Sequence, residues 1–116
     1  MSTTFLTPVR ILDTRTTNTP LQPGEDRKVQ VDGAHGIPLN AIGVAGDLAV
    51  TDPKNQGWLA LTPTKWVGPS SNINFVAGQT LANGFTVGLA PDGTFSVHNG
   101  LGGTVHVIVD IAAYDI

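Results

Sequence analysis

An imidazole beside a carboxylate is the commonest start of an acid–base site, and His106 and Asp110 in "HVIVD" (106–110) offer both. They fall on one face of a stretch that alternates like a strand. Four residues of extended chain separate their side chains by roughly 13 Å, too far for a direct hydrogen bond, so they make no dyad. His35 and His98 have no carboxylate at metal-ligand spacing, and three scattered histidines are not a zinc signature; each reads as a surface or packing histidine. Ser70, Ser71 and Ser96 lack the Gly-x-Ser-x-Gly elbow that presents a nucleophilic hydroxyl. With one glutamate in the chain, paired catalytic carboxylates would have to be aspartates, and Asp47, Asp52, Asp92 and Asp110 stand in no motif. No Asp-rich loop matches an EF-hand, and the absence of cysteine removes disulfides and thiolate metal sites. The expectation is a protein with no enzymatic activity, cofactor or resident metal, the alternative for the last being a calcium ion held by loop carbonyls and a lone aspartate.

The residues left over suit contact better than reaction. "LDTR" sets Asp13 and Arg15 on one side of an extended segment, where they can pair locally, or where Arg15 can bond loop carbonyls or fork onto a ligand carboxylate or phosphate. "SNINFVAGQTLANG" (71–84) holds three asparagines, one glutamine and no charge. Ser71, Ile73 and Phe75 point one way; Asn72, Asn74 and Val76 point the other; Asn83 shares the apolar side with Leu81 and Phe85. A buried amide needs partners for both its carbonyl and its NH₂, and nearby backbone is the usual source. The main expectation is that these amides staple strand ends and loops, the other being a sugar-binding or inter-subunit row. Trp58 opens a strand on its less apolar face, where it can cover the sheet or stack on a sugar ring. Trp66, in the loop "KWVGPSS", can pack or serve as an exposed anchor in a protein interface.

Strands must position all of these. Strand-like runs at 5–14, 27–33, 41–52, 57–64, 72–78, 81–90, 93–100 and 103–116 are separated by Pro, Gly, Asn and Asp, which predicts an all-β antiparallel sandwich of about eight strands, with jelly-roll character. No window holds a helical period. "PDG" (91–93) reads as a type I′ hairpin turn through Asp92 and Gly93. In 41–51, Ile42, Val44, Leu48 and Val50 oppose a small, nearly uncharged set, Ala41, Gly43, Ala45, Asp47, Ala49 and Thr51. In 81–90, Leu81, Phe85, Val87 and Leu89 likewise oppose Ala82, Gly84, Thr86, Gly88 and Ala90. A solvent-facing side would carry Lys, Glu and Gln. The small side therefore reads as covered, either by the same chain or by a neighbouring subunit.

Composition bounds the rest. The 116 residues suit one domain, 1–116, and are too few for two. Charged residues make up 13%, about half the ~25% of ordinary soluble domains, and the net charge is −3. Six Lys and Arg argue against nucleic acid or an acidic membrane as partner, since both need clustered cations. No apolar run approaches the ~20 residues that cross a bilayer, and "MSTTFLTPVR" does not read as a signal peptide. Residues 1–5 read as an N-terminal arm that orders on a neighbour.

"TPVRILDTR" (7–15), "GIPLNAIGVAGDLAVTDP" (36–53), "GWLALTP" (57–63), "SNINFVAGQTLANGFTVGL" (71–89) and "DGTFSVHNGLGGTVHVIVDIAAY" (92–114) lie in an order that resembles a known β-rich domain. That domain occurs, often repeated, in secreted and surface proteins of actinobacteria and in virion proteins of the phages that infect them. The likeness spans nearly the whole chain; "SNINF…GQTLAN" with "TVHVIVD" is its specific part, and "LDTR" alone is weak. Two positions depart from it: Asp47 replaces an asparagine, and Ala113-Tyr114-Asp115 replaces a Gly-Tyr-Phe ending. The resemblance implies a binding or structural module. A short copy without a signal peptide is similar to a capsid-decoration or tail component, assembled in the host cytoplasm and docked as an oligomer on itself and on a major capsid or tail protein. The alternative is an extracellular module that binds surface carbohydrate of the cell wall through Trp58, Asn72, Asn74 and Asp47.

Overall fold

A computed structural model describes residues 2–68, 70–100 and 102–116. The strands are β1 (Thr3–Asp13), β2 (Asp26–Gln30), β3 (Gly43–Thr51), β4 (Gly57–Thr62), β5 (Ile73–Phe75), β6 (Leu81–Gly88), β7 (Thr94–Asn99) and β8 (His106–Asp115), with a one-turn helix, α1 (Thr14–Thr17), after β1. Strand β1 pairs with β8, β2 with β7, β3 with β6 and β4 with β5, all antiparallel. Further pairings of β3 with β8 and β4 with β7 join them into two four-stranded sheets, β1-β8-β3-β6 and β2-β7-β4-β5. The chain is thus one long hairpin rolled into a sandwich, the strand order of a jelly roll. The expected fold class holds, and each expected strand has its counterpart.

Alternation builds the core. Val44, Leu48, Val50, Phe85, Val87, Val107, Val109 and Ile111 face inward from the first sheet. They meet Val29, Leu59, Leu61, Ile73, Phe75, Phe95 and Val97 from the second. Each large side chain taken out of water contributes about 1.5–3 kcal/mol. Phe85 and Phe95 meet across the sandwich at 6.0 Å between ring centroids. Gly46 admits a close approach between strands: the β3–β8 register breaks between Ala45 and Gly46, and a Cβ at 46 would overlap the Asp110 carbonyl.

Four local expectations are corrected. Only Gly93 of the Asp-Gly pair has positive φ (77°), with Gly93 N–H bonded to the Ala90 carbonyl at 2.8 Å. The turn is not type I′, and it carries the chain from β6 in one sheet to β7 in the other instead of closing a hairpin. Ile42 lies before β3 and is 55% exposed, outside the core that Val44, Leu48 and Val50 enter. "LDTR" is not extended to its end, because Asp13 caps α1 by accepting from Arg15 N–H at 3.1 Å. Of the expected arm, Thr3, Thr4 and Phe5 pair with Asp115, Tyr114 and Ala113 of β8, and Met1 lies outside the described residues.

Candidate functional site

Two surfaces hold the residues singled out above, one on the outer side of each sheet. On the second sheet, β7 sends Thr94, Ser96 and His98 outward, yet all three are buried. The loop after β4 folds back over them, and Trp66 stacks on His98 with 4.6 Å between centroids and 11° between planes. Trp58, outward on β4, lies 4.9 Å from Trp66 and 5.4 Å from His98. Gly100 makes room for it, since a Cβ there would run into the indole. Asp26 on β2 closes the cluster: one carboxylate oxygen contacts His98 Nδ1 at 3.0 Å and accepts from Trp66 N–H at 3.2 Å. Trp66 Nε1 donates to the Ser70 carbonyl at 2.9 Å, so the loop is held at both ends of its tryptophan.

Trp66 is therefore half-buried lid rather than free anchor, while Trp58 keeps an open side. Trp58 and Asn74 are register partners across β4 and β5. With Trp66, Ser70 and Ser71 they line a depression of about 300 Å³. Asn74 is exposed there, but Asn72 is occupied: its Oδ1 accepts from Leu61 N–H at 2.8 Å, continuing the β4 ladder past the short β5. Asp47 lies on β3 in the other sheet, so the carbohydrate set is not brought together as a whole.

The other surface is the outer side of β8, β3 and β6. Asp47, Ala82, Gly84, Thr86 and Gly88 are exposed, with Ala45 and Ala49 half-buried. The chain itself covers only one end of the small side, where Ala41 and Gly43 are buried; from Ala45 to Ala49 and from Ala82 to Gly88 no described residue covers it. A shallow depression of about 450 Å³ is lined there by Phe5, Ala45, Gly46, Asp47, Gly84, Thr86 and Ala112. Phe5 at its rim is 84% exposed.

The remaining polar residues hold backbone together. Arg15 grips Asp13 with two bonds of 2.9 and 2.8 Å, the local pair expected of "LDTR". Arg15 holds the Asp13 carboxyl down at about 2, by hydrogen bonding first and by charge as well. Arg10 forks onto Asp110 at 2.9 and 3.2 Å, and this raises its own pKa. His106 meets the buried Thr14 hydroxyl at 2.9 Å, so His106 and Asp110 serve different partners. Asp92 accepts from Thr94 at 2.6 Å and from Lys28 at 3.0 Å, and its pKa is lowered by both. Asn83 is not the apolar-side amide expected: it is exposed, and what holds of the expectation is the staple, its Nδ2 donating to the Asn72 carbonyl at 3.1 Å.

Two participants, Asp26 and Asn99, escaped sequence reasoning, while His98 is the packing histidine expected. Asp26 and His98 stand 72 positions apart, and only the β2–β7 register, which pairs them, brings them together. Asn99 is 1% exposed and donates to the carbonyls of Leu21, Gln22 and Gly103 at 3.2, 3.0 and 2.9 Å. Its one signal was an amide following an alternating strand, "FSVHN". Among the described residues, no group of three or more His, Asp or Glu side chains is placed to hold a metal ion. Compared with known proteins, the chain matches no family model and no curated sequence.

Proposed function

We propose that this chain is a non-enzymatic structural protein of a bacteriophage virion surface, a capsid-decoration or tail-associated component that docks on a protein lattice as an oligomer. The observation that carries the docking is the uncovered outer side of β3 and β6, beside which β8 carries Asp110, paired with Arg10. The alanines, glycines and threonine of that side stand close to the backbone, so a flat partner can approach without ordering long side chains, whose immobilisation costs ~0.5–1.5 kcal/mol each. Asp47 is the only exposed acid on β3, and Phe5 offers an apolar peg at the rim. The virion location comes from the sequence resemblance. A jelly roll is used by viral capsid and lectin domains alike, so the fold supports the reading only in general terms. The test is light scattering on the purified chain, followed by a pull-down with actinobacterial cell walls. A closed oligomer that ignores the walls is the expected result; a monomer that binds them overturns the proposal.

One observation favours a second reading, a carbohydrate-binding module at the cell surface. Trp58 and Asn74 share the 300 Å³ depression with two serines, an aromatic face beside amide and hydroxyl groups that suits a sugar ring. Loss of wall binding in Trp58→Ala, with the fold retained, is the result that reading requires.

A further inference from the structure

We infer that β6 is a docking edge for a second copy of this chain, pairing antiparallel with the copy's own β6 across a two-fold axis. This deepens the docking reading and rests on it for its oligomer. The sandwich has four strand edges, and three of them are protected. Strand β1 carries Pro8 and Arg10, and its register with β8 breaks twice. Strand β2 places Asp26, Arg27 and Lys28 within its five residues, and β5 is three residues long. Strand β6 has none of these devices. It runs eight residues, "LANGFTVG", without charge or proline, in unbroken register with β3 from Leu81 to Gly88. A long, flat, uncharged edge is what other proteins blunt to avoid pairing.

Alternate residues of an antiparallel edge strand aim their N–H and C=O groups away from their neighbour. Among the described residues, no loop backbone hydrogen-bonds to the backbone of 81–88, and the loop carbonyl of Asn72 takes up only the side chain of Asn83, at 3.1 Å. An identical strand related by a two-fold axis supplies a matching row, because such an interface is self-complementary. Charge permits it despite the net −3 of each chain. Asp47 sits one strand in, opposite Gly84, so two copies would hold their Asp47 side chains about three strand spacings apart, roughly 14 Å, beyond the screening length in physiological salt. The backbone seam alone is small against the ~1,200 Å² of a stable interface. Val76, 57% exposed just after β5 and on the same flank, adds apolar area. A dimer that dissociates in the micromolar range follows.

Sedimentation velocity through the micromolar range should show the mass rising from one chain to two. Hydrogen exchange should slow about tenfold or more at alternate amides of 81–88 as the dimer forms. Ala82→Lys combined with Thr86→Lys, both at exposed positions, sets like charges across the seam. It should raise the dissociation constant at least about tenfold while the circular dichroism stays unchanged. A chain that stays monomeric overturns the inference. An oligomer whose 81–88 amides exchange as in the monomer also overturns it, while leaving docking through the outer face intact. Protection of those amides only on a purified capsid or tail assembly gives the edge to a different partner. An edge-paired dimer that binds cell walls keeps the inference and removes the virion reading.

Discussion

Asn83 of β6 donates its amide to the main-chain carbonyl of Asn72 at 3.1 Å, tying the edge of one sheet to the edge of the other. Asn72 in turn uses its own Oδ1 to hold Leu61 N–H at 2.8 Å, and Gln79 Oε1 holds Val76 N–H at 3.1 Å. The uncharged run 71–84 is thus a chain of backbone staples where β5 is too short to complete its ladder. Asn99 does the same work in the interior with three carbonyl partners.

The cost of removing each amide should follow what it leaves unpaired. Asn99→Ala buries a gap beside three carbonyls, although Leu21 and Gln22 keep bonds from Val105 and Glu25. We expect a loss of about 2–3 kcal/mol. Asn72→Ala strands the partly buried Leu61 N–H and should cost about 1–2 kcal/mol, and the exposed Asn83→Ala about 0.5–1. Urea midpoints measure the series. An Asn83 effect equal to that of Asn99 would mean that burial does not set the order.

Gly46 and Gly100 should both resist a methyl group, for different reasons. At Gly46 the obstacle is the Asp110 carbonyl, backbone inside a three-strand register that cannot give way. Gly46→Ala should cost on the order of 3 kcal/mol. At Gly100 the obstacle is the Trp58 indole, a side chain, so Gly100→Ala should cost about 1–2 kcal/mol and push Trp58 off Trp66. A shift of tryptophan emission in the second variant but not in the first distinguishes them.

Strand count, fold class and inner faces were legible because each follows from period-2 alternation between turn residues. Leu59 and Leu61, or Phe85 and Val87, declare their side without any partner. The local pair Asp13–Arg15 was legible because the two are close in sequence, although a helix cap and not an extended segment brings them together. What stayed hidden depends on which strands become neighbours. Asp26 meets His98 only because the rolled hairpin pairs β2 with β7, and Trp66 covers His98 only because its loop folds back over that sheet. The turn at Asp92 misled because the dipeptide fits two turn types, and the crossing between sheets selected the other.

Acid should weaken the β1–α1 junction in a defined window. Arg15 holds the folded Asp13 carboxyl at about 2, below the ordinary value of ~3.9. The carboxylate's contribution is therefore complete above ~3.9, falls as pH drops, and is lost once pH passes through about 2. Asp92 is lowered in the same direction by Thr94 and Lys28. Asp13→Asn should be less stable than the parent at neutral pH, and the two melting curves should converge as pH falls below the window. Parallel curves down to the lowest pH would remove Arg15 as the cause.

The two surfaces make opposite demands on one pair of substitutions. Ala49→Arg plants a long charged side chain among the small residues of β3, on the side we assign to lattice contact, far in the fold from Trp58. Arginine must be desolvated and ordered before a flat partner can seat, so affinity for that partner should fall about tenfold or more. Trp58→Ala leaves β3 untouched but strips the aromatic wall from the depression it shares with Asn74, and also frees one face of Trp66. The docking reading expects the first variant to lose assembly on purified virions and the second to keep it. Binding isotherms on virions and on cell walls, with folding checked by circular dichroism, read both surfaces at once. Assembly that survives Ala49→Arg and disappears with Trp58→Ala would move the contact to the second sheet.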